Sequence, residues 1–442
     1  MIKETLVTFI SRIILVGLGA VNSIILARFL GPAGQGTFAV VATLITILAT
    51  IGGLGLGNAN IYFIGQKRYE VRILFWNSIL SSVVIGSLLI GIAYGFYKAI
   101  PSVFQGVSKD LVLLYALTLP LLLCWGHISS FLLGFQRFQA FNVINICIGL
   151  LTLINYLIFL SLLPTVQVVI IISIIITGVA VILPIIYLIK RVDSSILRLK
   201  FDVKVLFECI AFGIKGQLGS IIQFMNYRLD RLFVNWFMGP SAVGFYTVAV
   251  ILAESLWYVS NSIAQVLFPK ISACDDVVSS AQTTAKSCRI SFLFALLLAI
   301  VLAFIGPWLI PFLFGAAFSS SVPALNFLLP GIVVFSLTNV IASYIIGRGY
   351  PFYNTIIALI SFVAMIPLDL WLIPRWGIVG AAITSSISYI AATIAAIYLY
   401  KKIVSRDSRL SKQAINIPLT DIVVIRNRDW QSIRNIFRQF GI

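Results

Sequence analysis

Phe29 to Ala42 reads F-L-G-P-A-G-Q-G-T-F-A-V-V-A, and Phe237 to Val250 reads F-M-G-P-S-A-V-G-F-Y-T-V-A-V. The two stretches lie a constant 208 positions apart, and five of the fourteen aligned residues are identical. The identities include Gly31-Pro32 and Gly239-Pro240, together with Gly36 and Gly244, the glycines four residues beyond each proline. A glycine ends a helix without a Cβ penalty, and a proline fits the first turn of the next. One helix turn is therefore written twice, the mark of an internal duplication. A tight turn in each half is the plain reading of the motif, and a ligand role is its alternative.

Around the two turns the chain is apolar almost throughout. Of 442 residues, 60% are hydrophobic and only 10% charged, at a mean hydropathy of +1.07. That composition belongs to membrane proteins rather than to soluble multidomain chains. Apolar runs of about 20 residues, each enough to cross about 30 Å of hydrocarbon, recur from end to end. They fall at 7–30, 37–64, 73–97, 111–135, 140–163, 166–189, 208–237, 242–268, 289–314, 325–346, 353–373 and 377–400. Each must be helical, because lipid-facing backbone cannot go unpaired. The run after Lys3 is too long for a cleavable signal peptide.

Six spans separate equivalent points of the repeat, and an even number returns the chain to the same side of the membrane. The expected fold is all-α: a polytopic membrane protein of about twelve transmembrane helices in two parallel six-helix lobes around a central cleft. The lobes are 1–190 and 206–402, joined by a polar linker at 191–205 and followed by a basic tail at 403–442.

Lys and Arg in alternate loops orient the chain. With the N-terminus inside, 24 of the 31 cations fall on the cytosolic side; the other seven are Arg28, Lys98, Lys109, Lys215, Arg228, Arg231 and Arg375. Both termini are expected in the cytoplasm, in a multi-pass protein of the plasma (inner) membrane. The net charge of +17 is mostly this topological bias, so no nucleic-acid partner is expected. The five cysteines, at 124, 147, 209, 274 and 288, form neither a disulfide framework nor a spaced metal site, and no metal or cofactor is expected.

An ionisable side chain within a span costs a few kcal/mol to insert, which makes each one a functional candidate. Arg12 and Arg28 lie on the first span; Lys215, Arg228, Asp230 and Arg231 lie on the seventh, its duplicate; Glu254 follows on the eighth. Cations outnumber carboxylates five to two, which predicts an anionic ligand held by Arg12, Arg28, Lys215, Arg228 and Arg231. Arg12 and Arg28 have a rival role, snorkelling to the two interfaces. Arg228 and Arg231, three apart, share one helix face and have Asp230 or Glu254 as rival neutralising partners. Glu254 and Asp230 are the candidates for ion coupling, to a proton or a sodium ion, or else are counter-charges.

His127 stands alone on the fourth span, and a lone buried histidine reads as a satisfied packing residue ahead of a ligand or a proton relay. Asp369 and Arg375 are expected as a rim pair at the outer end of the eleventh. Trp308, Trp371 and Trp376 suit an interfacial aromatic belt. Trp125, Trp236, Trp257, Tyr227 and Tyr258 suit either packing or stacking on sugar faces. In the tail Trp430, Ile433, Ile436, Phe437 and Phe440 recur at helical spacing. They suggest an amphipathic helix drawn to anionic lipid, with a solvated tail as the alternative.

Several stretches resemble polysaccharide-biosynthesis flippases, the O-antigen transporter type of the multidrug/oligosaccharidyl-lipid/polysaccharide exporter superfamily. They are A-R-F-L-G-P-A-G-Q-G at 27–36, V-L-F-P-K-I-S at 266–272, A-L-N-F-L-L-P-G at 324–331, I-I-G-R-G-Y-P at 345–351 and I-P-R-W-G-I-V-G-A-A-I at 373–383. The resemblance implies a two-lobed protein that moves undecaprenyl-pyrophosphate-linked saccharide from the inner to the outer leaflet through a cationic cavity. The 42-residue basic end from Lys401 to Ile442 departs from many members. A small-molecule antiporter of the same superfamily is the nearest rival, but it should have an acidic cavity. A membrane enzyme needs catalytic groups on a sizeable outer loop, and the short outer loops carry no paired carboxylates or histidine cluster. No catalytic residue is therefore expected.

Overall fold

The computed structural model describes residues 2–192 and 194–410. Its helices are α1 (Ile2–Gly52), α2 (Leu56–Gly65), α3 (Val71–Ala99), α4 (Lys109–Ala116), α5 (Leu119–Gly134), α6 (Phe138–Leu162), α7 (Val166–Arg191), α8 (Val203–Arg228), α9 (Asp230–Met238), α10 (Pro240–Glu254), α11 (Trp257–Ser272), α12 (Val277–Phe314), α13 (Ser321–Gly347) and α14 (Phe352–Leu410). Short 3-10 turns at Pro101–Phe104, Ser194–Leu197 and Ala316–Ser320 complete them. The proposed tail helix around Trp430 lies outside the described residues.

Among the described residues, nine stretches are long and apolar enough to cross a membrane, and α10 with α11, bent by 42°, makes a tenth. Two of the ten are too long for one crossing. Ser11–Gly52 has 42 residues and Phe352–Asp407 has 56; at 1.5 Å per residue these are about 63 and 84 Å of helix, against about 30 Å of hydrocarbon. Each is interrupted at one glycine, Gly31 (φ 64°, ψ −177°) and Gly377 (φ 58°, ψ −135°). Dividing them there turns ten crossings into the twelve that the sequence implies.

Several crossings are broken rather than straight. The second stops at Gly52 and restarts at Leu56, with Leu54 (φ 46°) and Gly55 (φ 73°) both left-handed. The fourth divides at Leu117 and Thr118, where Pro120 starts α5 instead of kinking a continuous helix. The seventh divides into α8 and α9 at Leu229. By contrast Pro184, Pro307, Pro311, Pro330 and Pro367 lie inside continuous helices. Proline alone did not mark the breaks.

The chain packs as two compact units. The first takes Met1–Thr247 with Leu313–Ala317; the second takes Val248–Phe312 and the chain from Phe318 on. In the first unit Leu56, Phe63, Phe75, Ile128 and Phe131 form one core cluster, and Ile25, Leu26, Tyr156, Leu160 and Val169 form another. Helices α8 and α9 pack against α1 here, so the duplicated first and seventh spans share a unit.

Polar contacts fix α8 at its start. The Asn77 amide donates to Asp202 O (2.9 Å) and accepts from Asp202 N–H (3.2 Å), while Asp202 caps α8 through the Lys204 N–H (2.9 Å). Glu70 pairs with Lys200 at 2.6 Å, and Arg68 pairs with Glu208 at 3.2 Å. The polar linker is thus a strap rather than a free tether.

The duplicated turns explain one another. A Cβ on Gly36 would fall 1.7 Å from Pro240 O, and a Cβ on Gly244 would fall 2.1 Å from Pro32 O. Each copy supplies the glycine against which the other's proline backbone rests. Two small residues were needed because two backbones cross at van der Waals distance.

In the second unit α13 packs against α11 and α14. Trp257 meets Phe335 and Tyr389 with ring centroids 5.1 and 5.4 Å apart, and it is buried. Packing, not sugar stacking, is the role visible for Trp257. At one end Arg348 and Asp407 form a 3.3 Å ion pair with little exposure, and Tyr350 OH donates to Asp407 at 3.1 Å.

Candidate functional site

The seventh crossing supplies most of the charge. Where α8 gives way to α9, Asp230 opens the new helix and is 3% exposed. Its Oδ1 accepts the Arg231 N–H at 2.8 Å, and its Oδ2 accepts the hydroxyl of fully buried Tyr246 at 2.6 Å. A carboxylate in the first turn of a helix also faces the positive end of the helix dipole. The Arg228 and Arg231 guanidinium groups attract it electrostatically, and both side chains are half-buried. Arg228, Asp230 and Arg231 are therefore one cluster.

One turn further on, Asn235 locks α9 to the loop after α3. Its amide donates to Val103 O (2.7 Å) and Gln105 O (3.2 Å). The Gln105 amide returns bonds to Asn235 O (2.7 Å) and Trp236 O (2.9 Å). This reciprocal pairing holds the charged break at a fixed height in the unit.

Arg12 and Lys215 are exposed, on α1 and α8. Lys215 makes no hydrogen bond or ion pair among the described residues. Arg28 is exposed as well, but its Nε donates to Leu313 O at 2.7 Å, near the C-terminal end of α12, where a cation is favoured by the helix dipole. Leu313 is grouped with the first unit, so this bond lies within it. Glu254 ends α10 and belongs to the second unit.

Asp369 does not lie on a rim, as its place near the end of a span suggested. It is fully buried in the second unit, while Arg375 is exposed and covers the Trp371 ring at 4.6 Å. Trp308, Trp371 and Trp376 are exposed, as an aromatic belt would have them.

Sequence reasoning missed Tyr246, Gln105 and Asn235, whose roles depend on contacts from distant segments. It also reads His127 as a packing residue ahead of a ligand or proton relay. His127 lines a cavity of about 190 Å³ in the first unit with Gly53, Gly55, Asn58 and Gln217.

Comparison with known proteins fits this architecture. Residues 25–323 match the family described as polysaccharide biosynthesis protein. The lipid III flippase of Escherichia coli (strain K12) is 25% identical over 407 residues, covering 88% of this chain and 95% of that one. The chain spans about half the length of other curated relatives it matches, among them the capsular polysaccharide biosynthesis protein CapF of Staphylococcus aureus, 25% identical over 198 residues.

Among solved structures, the lipid II flippase MurJ in an inward closed conformation superposes with a TM-score of 0.74 at 17% identity, covering 99% of each chain. An inward-facing multidrug resistance MATE family transporter of the MOP superfamily superposes at 0.75, also at 17% identity, covering 89% of this chain and 95% of that one. At such identity the structures establish the fold alone. The family match covers well over half of the residues: the chain belongs to the polysaccharide biosynthesis protein family.

Proposed function

We propose that the chain is a flippase that moves an undecaprenyl-pyrophosphate-linked oligosaccharide from the inner to the outer leaflet of the plasma membrane, for surface polysaccharide synthesis. One observation carries the reading. The first unit holds five cations on its two duplicated spans, Arg12, Arg28, Lys215, Arg228 and Arg231, against two carboxylates that are already engaged, Glu208 by Arg68 and Asp230 by Tyr246.

A pyrophosphate is the ligand class such a surplus recognises, through charge-assisted hydrogen bonds. The saccharide needs no covalent chemistry to cross. The proposed mechanism is alternating access, with lobes 1–190 and 206–402 rocking around a central cleft, both termini cytoplasmic, and no bond broken. The candidates for a coupling cation, proton or sodium, are Glu254 in the second unit and Asp230 in the first, each taken by itself. Anionic lipid is the proposed partner of the basic tail.

Reconstitution tests this directly. Vesicles containing the protein and a fluorescent lipid-linked saccharide should deliver it to a leaflet-specific lectin or glycosidase. An Arg228→Ala, Arg231→Ala double variant should lose delivery, and undiminished delivery by it would end the cationic-site reading. A drug-efflux assay checks the rival antiporter reading, which the cation surplus disfavours.

A further inference from the structure

The second crossing is broken inside the first unit, and its broken end is occupied. Helix α1 ends at Gly52, so its last carbonyls have no intrahelical partner. Gln217 of α8 takes one of them, donating its amide to Thr50 O at 2.8 Å. Just past the helix, Gly53 O accepts the Leu56 N–H at 3.0 Å and also faces Nε2 of His127 on α5 at 3.2 Å. Leu54, a bulky residue held left-handed at φ 46°, shows that the break is maintained against backbone preference.

The other ring nitrogen also faces oxygen. Nδ1 lies 2.9 Å from Ser82 Oγ and 3.4 Å from Ser78 O. The Ser82 hydroxyl has one proton, and it lies 2.6 Å from Ser78 O, a good donor geometry. Ser82 Oγ is then left to accept from the ring, while the two carbonyls can only accept. With both nitrogens as donors, every group in this chain is satisfied: Nδ1–H to Ser82, Ser82 to Ser78 O, and Nε2–H to Gly53 O. A neutral ring has one donor fewer, and the Ser82 hydroxyl must then leave Ser78 O to serve Nδ1.

We propose that His127 is a proton-binding site, and that its imidazolium is a clasp on the carbonyl end of α1 at the Gly53–Gly55 break. The inference rests on the flippase reading for its purpose, as a place where a proton can act on transport. Burying an imidazolium is expensive; the carbonyl end of a long helix and the oxygen acceptors offset that cost.

Titratable groups lie on every helix around it: Arg12 and Arg28 on α1, Tyr62 on α2, Arg72, Tyr94, Tyr97 and Lys98 on α3, Cys124 on α5, Cys147 and Tyr156 on α6, Tyr187, Lys190 and Arg191 on α7, and Lys204, Glu208, Cys209, Lys215, Tyr227 and Arg228 on α8. None makes a hydrogen bond or ion pair with the ring. The break is also where α8 docks: a Cβ on Gly213 would fall 2.4 Å from Gly55 O, and Lys215 lies between Gly213 and Gln217. Proton loss at His127 therefore loosens the segment that positions a candidate pyrophosphate ligand.

The chain contains a single histidine, which makes the test direct. In tag-free, histidine-labelled protein in nanodiscs, nitrogen NMR followed from about pH 8 down to about pH 4 should show one imidazole passing from neutral to doubly protonated. Ser82→Ala should move that transition to lower pH, because the charged form loses an acceptor. In vesicles, an imposed pH gradient should accelerate saccharide delivery by the wild type and not by His127→Gln.

A resonance that stays in one neutral tautomer over this range would overturn the proposal, as would a His127→Gln variant with the full response to the gradient. If the ring titrates but no saccharide moves under any gradient, the proton site stands and the flippase reading fails.

Discussion

Gly36 and Gly244, 208 residues apart, face each other so closely that a Cβ on Gly36 would stand 2.8 Å from the Gly244 nitrogen. The packing is reciprocal, since Pro32 and Pro240 provide the opposing backbone in each direction. Duplication has thus produced a self-complementary contact inside the first unit, between the start of α10 and the middle of α1. It binds the second copy of the repeat to the first.

Alanine at either glycine should force this crossing apart. Overpacking of this kind costs about 1–3 kcal/mol, and here the obstacle is backbone, which cannot rotate away. Gly36→Ala and Gly244→Ala should each lower the thermal unfolding midpoint in detergent. Gly17→Ala is the control: it has nothing within 4 Å of a new Cβ, and it should be neutral or slightly stabilising. Equal midpoints for all three variants would show that the crossing is not tight.

The Asp230–Tyr246 bond makes a second stability prediction. Tyr246→Phe leaves Asp230 Oδ2 buried without its hydroxyl donor, a loss of about 1.5–3 kcal/mol for a bond to a charged acceptor. Asp230→Asn removes the charge but keeps the shape. A double-mutant cycle on unfolding free energy should therefore be strongly non-additive. Additivity would mean the bond contributes little.

The repeat could have exposed that pair. Subtracting 208 places Asp230 over Asn22 and Tyr246 over Phe38, so only the second copy carries both the acid and the hydroxyl. Span number, the turns at Gly31 and Gly239 and the cation surplus were legible because they depend on local composition and spacing. The break at Gly53–Gly55 was not. Its glycines read like any others in a membrane helix, and what keeps it open comes from His127 and Gln217, 74 and 164 residues further along. Asp369 was misplaced for a related reason: nearness to a span end does not reveal whether a helix end is buried by its neighbours.

Glu70 offers a pH-dependent test outside the membrane spans. Lys200 first, and Arg72 second, hold its carboxyl below the usual carboxylate value. A depressed folded value means the contribution to stability is present above the ordinary carboxylate range and is lost as pH falls through the folded value. The unfolding midpoint of wild type should therefore exceed that of Glu70→Gln at neutral pH, with the gap closing as the carboxyl protonates. The group is exposed, so high salt should shrink the same gap. A gap that widens in acid would contradict the assigned pairing.

In the second unit, Arg348 and Asp407 are shielded from water, with side chains only 12% and 14% exposed. Breaking such a pair from one side leaves an uncompensated charge, at a cost of about 3 kcal/mol or more. Asp407→Asn should therefore destabilise more than Glu70→Gln, whose partners are solvated. Hydrogen exchange of α13 and α14 should rise in Asp407→Asn, and unchanged protection there would remove the ion pair from the account of this unit.

The cation surplus carries the functional case, and its members should not behave alike. Arg12 and Lys215 are exposed, so replacing either by Gln should weaken binding of a soluble pyrophosphate analogue. At about 1.5–3 kcal/mol for each charge-assisted bond, the loss is roughly 10- to 100-fold in affinity, since each 1.4 kcal/mol is tenfold. Lys215→Arg should largely restore binding, because charge rather than shape is required. Arg28→Gln should lower the unfolding midpoint in addition, since Arg28 also donates to Leu313 O. Isothermal titration and thermal unfolding on the same preparations separate these outcomes. Unchanged affinity in an Arg12→Gln, Lys215→Gln double variant would show that these cations serve the membrane interface rather than the substrate.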